Sequence, residues 1–216
     1  WPQNLEAAKL VEDTVRANGA TPATIAIIKG VVHIGLEASE LEDFARTGRG
    51  VAKVSRRDIA TVVARGASGA TTVAATSLLA VRAGIRVFVT GGIGGVHRGA
   101  ATTMDISADL TELGRTPICV VSAGSKAFLD AQLTLEVLET QGVTVAAYRT
   151  DELPAFYTPH SGLKAPTRFD SPEECARAIR GGEALALGSG ILVTVPIPED
   201  QAPDGKRIND AILEAL

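Results

Sequence analysis

Apolar positions along the chain change period repeatedly, and each change predicts a switch between helix and strand. Leu5, Ala8, Val11 and Val15 recur at helical spacing, so residues 4–18 are expected to form a helix that Gly19 stops. β-Branched runs over 23–28 and 31–36, joined by Lys29-Gly30, read as a hairpin. Ser39-Glu40-Leu41-Glu42 has the spacing of a capping box and opens a helix that ends near Gly48. A short strand over 51–55 and a helix over 58–65, closed by Gly66, come next. Thr71 to Ala83 is rich in alanine and apolar on nearly every side, as a buried helix is.

The alternation continues with a short apolar strand over 85–89 and a helical stretch over 109–113. Residues 117–122 are continuously apolar, the pattern of a strand inside a parallel sheet. A helix over 129–141, stopped by Gly142, precedes a strand over 143–148. Ser171-Pro172-Glu173-Glu174 places a cap and then proline at a helix start, and 190–195 is the last clear strand. The segment 154–166 has no period and reads as a lid or a subunit contact. Strand and helix in alternation predict an α/β fold. It is expected to be a layered α/β/α domain over 1–216, with a largely parallel sheet and the early hairpin on its edge. Trp1-Pro2-Gln3 lacks an initiator Met, and the chain stops within the apolar helical pattern Ile208, Ala211, Ile212, Leu213, Leu216; both ends therefore read as truncated.

Composition narrows the class of partner. Hydrophobic residues make up 45% of the chain but aromatics only 4%, so Ala, Val, Ile and Leu must build the core. The net charge is −4 and Lys/Arg form no run, which argues against a nucleic-acid polymer as partner. No apolar stretch approaches the roughly 20 residues that span a bilayer, so no membrane is expected and the protein is placed in the cytoplasm. Cys119 and Cys175 lack CxxC spacing and read as buried, reduced thiols.

Candidate chemistry gathers after the strand at 85–89. Thr90-Gly-Gly-Ile-Gly-Gly-Val-His-Arg-Gly99 is followed closely by Asp105-Ile-Ser-Ala-Asp109. The run fits neither the dinucleotide fingerprint nor the P-loop. Glycines there are expected to turn backbone N–H groups around a phosphate, with His97 and Arg98 adding cationic donors. Asp105 and Asp109, four apart, would share one face of a helix and could hold a divalent cation; the plain alternative is a helix cap and a solvated carboxylate. Lys126 follows Ser122-Ala-Gly-Ser125, just past the strand at 117–122, and is the candidate nucleophile. At a helix start the dipole would disfavour its charge. Partial burial, or neighbouring cations such as Lys53 and Arg98, would free its amine to form a Schiff base. Gly69-Ala-Thr-Thr-Val73 suits either sugar binding or capping, while His33 and His160 read as ordinary surface or hairpin residues.

Several of these blocks together resemble the pseudouridine-5′-phosphate glycosidase family, also called indigoidine synthase A-like. They are Pro22 to Ile28, Val54 to Asp58, Gly69 to Thr76, Thr90 to Gly99, Asp105 to Asp109 and Leu138 to Gly142. Pro154-Ala-Phe-Tyr157 and Pro196-Ile-Pro-Glu199 extend the likeness. The resemblance implies reversible cleavage of the C–C glycosidic bond of pseudouridine 5′-phosphate to uracil and ribose 5-phosphate. In that scheme the ribose ring opens and a lysine forms an imine with C1′. Protonation at C5 of uracil then lets the bond break with the imine as electron sink.

By position, the resemblance implies Lys126 as nucleophile, Asp105 as ligand of one Mn²⁺, and Asp109 as an aid to proton transfer. Ser107, Ala108 and Asp109 would line the sugar phosphate, Lys53, Thr90 and His97 would hold the phosphate, and Thr72 and Val73 would contact the substrate. It further implies a homotrimer, and it places the family's proton-donor glutamate upstream of residue 2 and a substrate-contacting asparagine beyond Leu216. Two alternatives stand beside it: another Schiff-base sugar-phosphate lyase or aldolase using the same lysine, and a phosphate-binding or scaffold domain without catalysis.

Overall fold

In the computed structural model, residues 1–202 and 204–215 are described, and the chain divides into two units, Trp1–Ala83 and Gly84–Leu216. The first contains α1 (Gln3–Ala17), β1 (Ile25–Ile28), β2 (Val31–Ile34), α2 (Ala38–Thr47), β3 (Ala52–Val54), α3 (Ile59–Ala64), β4 (Gly69–Thr71) and α4 (Val73–Arg82). The hairpin forms as its turn residues dictate. Lys29 and Gly30 both have positive φ, 50° and 80°, the geometry a two-residue hairpin turn demands. Gly30 is required twice over, because a Cβ there would lie 2.8 Å from the Val63 carbonyl oxygen.

The hairpin's location differs from expectation. It sits at the edge of a separate four-stranded sheet, ordered β2-β1-β4-β3, and not on the parallel one. β4 joins β1 antiparallel to β3 parallel. Its sequence, Gly-Ala-Thr, carries no apolar alternation and escapes pattern reading. Gly69 serves there because a Cβ would collide with the Val54 side chain. Ile27, Val54 and Val62 form the core of this unit, and α4 buries Ala74, Ala75, Leu79 and Ala80 as its composition foretold. The capping box of α2 is formed by Glu37 and Glu40, whose side chain accepts from the Glu37 N–H at 2.9 Å; Ser39 lies inside the helix.

The second unit contains β5 (Val87–Val89), β6 (Val96–His97), α5 (Ala100–Thr103), α6 (Ala108–Leu113), β7 (Cys119–Ser122), β8 (Leu129–Asp130), α7 (Ala131–Thr140), β9 (Thr144–Tyr148), β10 (Thr167–Phe169), α8 (Pro172–Ala184), β11 (Ile191–Thr194) and α9 (Gly205–Ala215). Its main sheet is five-stranded, ordered β10-β9-β11-β7-β5, with every pair parallel. The expected α/β class with a largely parallel sheet is therefore observed. Val120, Ala146, Ala147 and Val193 are buried, as interior strands require. α7 begins later than expected because the Asp130 carboxylate accepts the Leu133 N–H at 2.9 Å, leaving Leu129 and Asp130 to pair as β8 with β6. Leu216, the last position of the terminal apolar pattern, lies outside the described residues.

Leu138, 1% exposed on α7, anchors that helix in the core. Leu138→Ala is expected to lower unfolding free energy by about 2–5 kcal/mol, measured by urea denaturation.

Candidate active site

Parallel strands deliver their loops to one end, and β5 and β7 are neighbours, so the glycine run and the Lys126 segment leave the sheet side by side. Their pairing continues past the strands. Thr90 N–H donates to the Val121 carbonyl and Ala123 N–H to the Gly91 carbonyl, each at 3.0 Å. Ile93 N–H then donates to Gly124 O at 3.0 Å, and Lys126 N–H to Ile93 O at 3.1 Å. Lys126 is thus fastened by its own backbone to the glycine run.

The downstream acidic segment folds back onto the same run. His97 N–H donates to Asp105 O and Ser107 N–H to Gly95 O, both at 3.0 Å, while Gly94 N–H donates to Asp109 Oδ2 at 2.8 Å. Val96 N–H donates to Thr134 Oγ1 at 3.0 Å. Thr90, His97, Asp105, Ser107, Ala108, Asp109 and Lys126 are therefore collected around one stretch of backbone.

Three expectations change here. First, part of the glycine run's backbone is turned to the protein and not to an anion: the N–H groups of Thr90, Ile93, Gly94, Val96 and His97 donate to protein oxygens. Its glycines are needed for close approach. A Cβ on Gly94 would collide with Ser107 and lie 2.8 Å from Asp109 Oδ2, and one on Gly95 would lie 2.5 Å from Thr134 Oγ1. Second, Asp105 and Asp109 do not share a helix face. α6 starts at Ala108, capped by the Ser107 hydroxyl; Asp105 stands before it with its side chain 63% exposed, while Asp109 is buried against the glycine run. Third, Lys126 lies in a turn, five residues before α7 and not at a helix start, and it is exposed.

Charge near this stretch is sparse. His97 Nδ1 lies 3.7 Å from Asp105 Oδ2, and its ring tilts against Phe128 at a centroid distance of 5.9 Å. Arg98 is exposed. In the first unit, Thr72 caps α4, its hydroxyl accepting from Ala75 N–H at 3.4 Å; Val73 opens that helix, and Lys53 is exposed on β3. Capping, the plain alternative for Thr72, is what its hydroxyl does.

Two contributors were not singled out by pattern. Phe156 packs its ring on Gly92, where a Cβ would collide with it, and only the apolar Pro-Ala-Phe-Tyr in an aperiodic segment hinted at such a contact. His160, read as an ordinary surface residue, bridges Glu152 through Nδ1 and Glu199 through Nε2, each at 2.9 Å. Those two hydrogen bonds need both ring nitrogens protonated, which raises its pKa; the Nδ1 bond, together with the Gly162 N–H, holds the Glu152 carboxyl below its usual range. At the amino ends of the strands, opposite Lys126, a cavity of about 80 Å³ is lined by Ile118, Cys119, Thr144 and Leu187. Burial pushes the Cys119 thiol up to about 11, which keeps it protonated and inert.

A family model described as indigoidine synthase A-like protein matches residues 1–216. The chain belongs to the indigoidine synthase A-like family. It is 57% identical over 216 residues to a pseudouridine-5′-phosphate glycosidase of Arabidopsis thaliana, and spans all of this chain and 66% of that relative. Identity to the Hahella chejuensis enzyme of the same name is 52% over 216 residues, 71% of its length. Among solved structures, the prealnumycin C-glycosynthase AlnA in complex with ribulose 5-phosphate aligns at TM-score 0.92 and 46% identity, covering 97% of this chain and 69% of that one. An indigoidine synthase A-like protein of Thermotoga maritima aligns at 0.90 and 36% identity, covering 97% and 70%. This family member thus spans about two thirds of the length of the relatives it matches.

The His160 bridge sets a pH dependence. A histidine pKa raised above 6.5 contributes stability that is fully present below that value and lost as pH rises through the raised one. The lowered Glu152 pKa contributes stability present above 4.5 and lost as pH falls through the lowered one. The thermal-midpoint difference between wild type and His160→Gln is therefore expected to peak between pH 4.5 and 6.5 and shrink in alkali. A difference constant from acid to alkali would contradict the bridge.

Proposed function

We propose that this protein is a pseudouridine-5′-phosphate glycosidase, cleaving its substrate reversibly to uracil and ribose 5-phosphate through an imine on Lys126. The observation that supports the reading is the backbone bond from Lys126 N–H to Ile93 O, which ties the lysine's main chain to the same glycine run that the Ser107 and Asp109 segment bonds to. Relatives of that name at 52–57% identity support it, as does a C-glycosynthase relative crystallised with ribulose 5-phosphate.

Neutral Lys126 Nζ adds to C1′ as the C1′–O4′ bond opens, and the proton that Nζ sheds passes to O4′. C5 of the uracil ring takes a proton from the glutamate that the family resemblance places upstream of residue 2, with Asp109 assisting. The nitrogen lone pair then forms C1′=N while the C1′–C5 pair stays with the pyrimidine, freeing uracil. Water hydrolyses the imine, releasing ribose 5-phosphate and the lysine amine. Run backwards, the same imine accepts a carbon nucleophile, the bond-forming sense in the name of the C-glycosynthase relative.

In this reading Asp109 assists proton transfer, Ser107 and Ala108 line the sugar phosphate, and Thr90 and His97 hold the phosphate. Lys53, Thr72 and Val73 are assigned substrate contacts on the family resemblance alone. The Asp105 carboxylate is an exposed, hard oxygen donor, which suits Mn²⁺ keeping most of its shell as water. Among the described residues no group of three or more His, Cys, Asp or Glu could hold a metal, so the protein would supply little beyond Asp105. Bound there, the ion supplies positive charge beside the anionic substrate. The reading also includes a homotrimer in the cytoplasm, with the segment 154–166 as a subunit contact. No helix among the described residues is long and apolar enough to cross a membrane.

Borohydride reduction in the presence of ribose 5-phosphate is expected to add the sugar to the peptide containing Lys126, read by mass spectrometry, and Lys126→Ala to abolish the adduct. Full turnover of pseudouridine 5′-phosphate by Lys126→Ala would overturn the assignment. Chelation is expected to weaken ribose 5-phosphate binding in calorimetry, Mn²⁺ to restore it, and Asp105→Asn to remove both effects; indifference to chelator would take the metal out of the site.

A further inference from the structure

We propose that Phe156 is a positioning residue, whose ring sets the glycine run and, through that backbone, the place of Lys126. The catalytic consequence rests on the imine reading above; the mechanical part rests on geometry alone.

Residues 151–165 form a closed loop. Its base is tied by Leu153 N–H to Leu163 O at 2.8 Å, by Ala165 N–H to Asp151 O at 2.9 Å, and by the bridge between Glu152 and Lys164. His160 fastens its far side to Glu152 and Glu199. At its turn, Ala155 N–H donates to Thr158 O at 2.9 Å, and Phe156 adopts a left-handed φ of 68°. A bulky aromatic residue takes that conformation only when its surroundings impose it, and such residues cluster at functional sites. Tyr157 packs edge-on against the Phe156 ring at 4.6 Å, so the ring has a support behind it.

What the loop presses on is specific. The Phe156 ring covers Gly92: a Cβ there would collide with Cε2 and lie 2.7 Å from Cδ2. The Pro154 carbonyl oxygen approaches Gly124, where a Cβ would lie 3.0 Å from it. These two glycines stand on the two paired segments, each next to the bonds that hold the lysine. Ile93, after Gly92, donates to Gly124 O and accepts from Lys126 N–H. Loss of the ring leaves space beside Gly92 into which the glycine run can move, and Lys126 moves with it. A misplacement of about 1 Å is enough to slow an attack that depends on alignment by roughly a hundredfold.

Phe156→Ala, Phe156→Leu and Phe156→Tyr in the full chain test this with two readouts. In Phe156→Ala, the rate of borohydride-trapped imine at saturating ribose 5-phosphate is expected to fall about tenfold or more, with half-saturation within about twofold of wild type. Phe156→Tyr, which keeps the ring, is expected to recover most of the rate. Amide hydrogen exchange at Ile93 and Lys126 is expected to quicken about tenfold in Phe156→Ala, while β9 and β11 keep wild-type protection. Should Phe156→Ala fail to fold, Phe156→Leu carries both measurements. Unchanged exchange at those two amides in a folded variant overturns the proposal, even if trapping slows, because the ring would then act on the sugar directly. Faster exchange with unchanged trapping overturns it too. If wild type traps no sugar, the imine reading fails, and exchange alone decides whether Phe156 positions the loop.

Discussion

The candidate site around Lys126 depends on one backbone pairing, the parallel alignment of the β5 and β7 strands that persists after both have left the sheet. Hydrogen bonds between main-chain atoms tolerate little change in spacing, so the bonds running from Thr90 to Lys126 fix the glycine run and the lysine as one body. The acidic segment then closes on that body. Asp109 reaches it with a carboxylate oxygen on Gly94 N–H, and Ser107 reaches it with both backbone and side chain.

Glycine has a different purpose here from the one its spacing suggests. None of the residues Gly91 to Gly95 has positive φ, and three of them stand where a side chain would collide with Phe156, Ser107 or Thr134. At Gly92, Gly94 and Gly95 small size is what the site requires; conformational freedom is used only at Gly99 and Gly124, with φ of 79° and 97°. The consequence is a closely packed support for this segment; Thr90, His97, Asp105 and Lys126 are half-buried or exposed, and Asp109 is buried.

Much of the fold was legible. The hairpin, the buried Ala-rich α4, the apolar β7 and the proline-started α8 were each predicted by local patterns that tertiary contacts reinforce. β4 and β10 were not, since Gly-Ala-Thr and Thr-Arg-Phe lack alternation and become strands only because neighbours offer them hydrogen bonds. The candidate residues from Thr90 to Asp109 were legible as a cluster in sequence, and Lys126 from its place after a strand; that they share one stretch of backbone is what the structure adds. The links among them were not, because a bond such as Gly94 N–H to Asp109 depends on where α6 begins, which the Ser107 cap decides.

By itself the sequence determined the class of fold, the run of candidate residues and the family, since these follow from periodicity and from motifs contiguous along the chain. Only the tertiary structure decided that Gly92, Gly94 and Gly95 stand where no side chain fits, that Asp105 and Asp109 part company, and that Phe156 and His160 belong to the site's support. The reason is that close approach and shared hydrogen bonds are properties of pairs distant in sequence: Gly92 with Phe156, or His160 with Glu199, meet only once the sheet has set the distance between their loops.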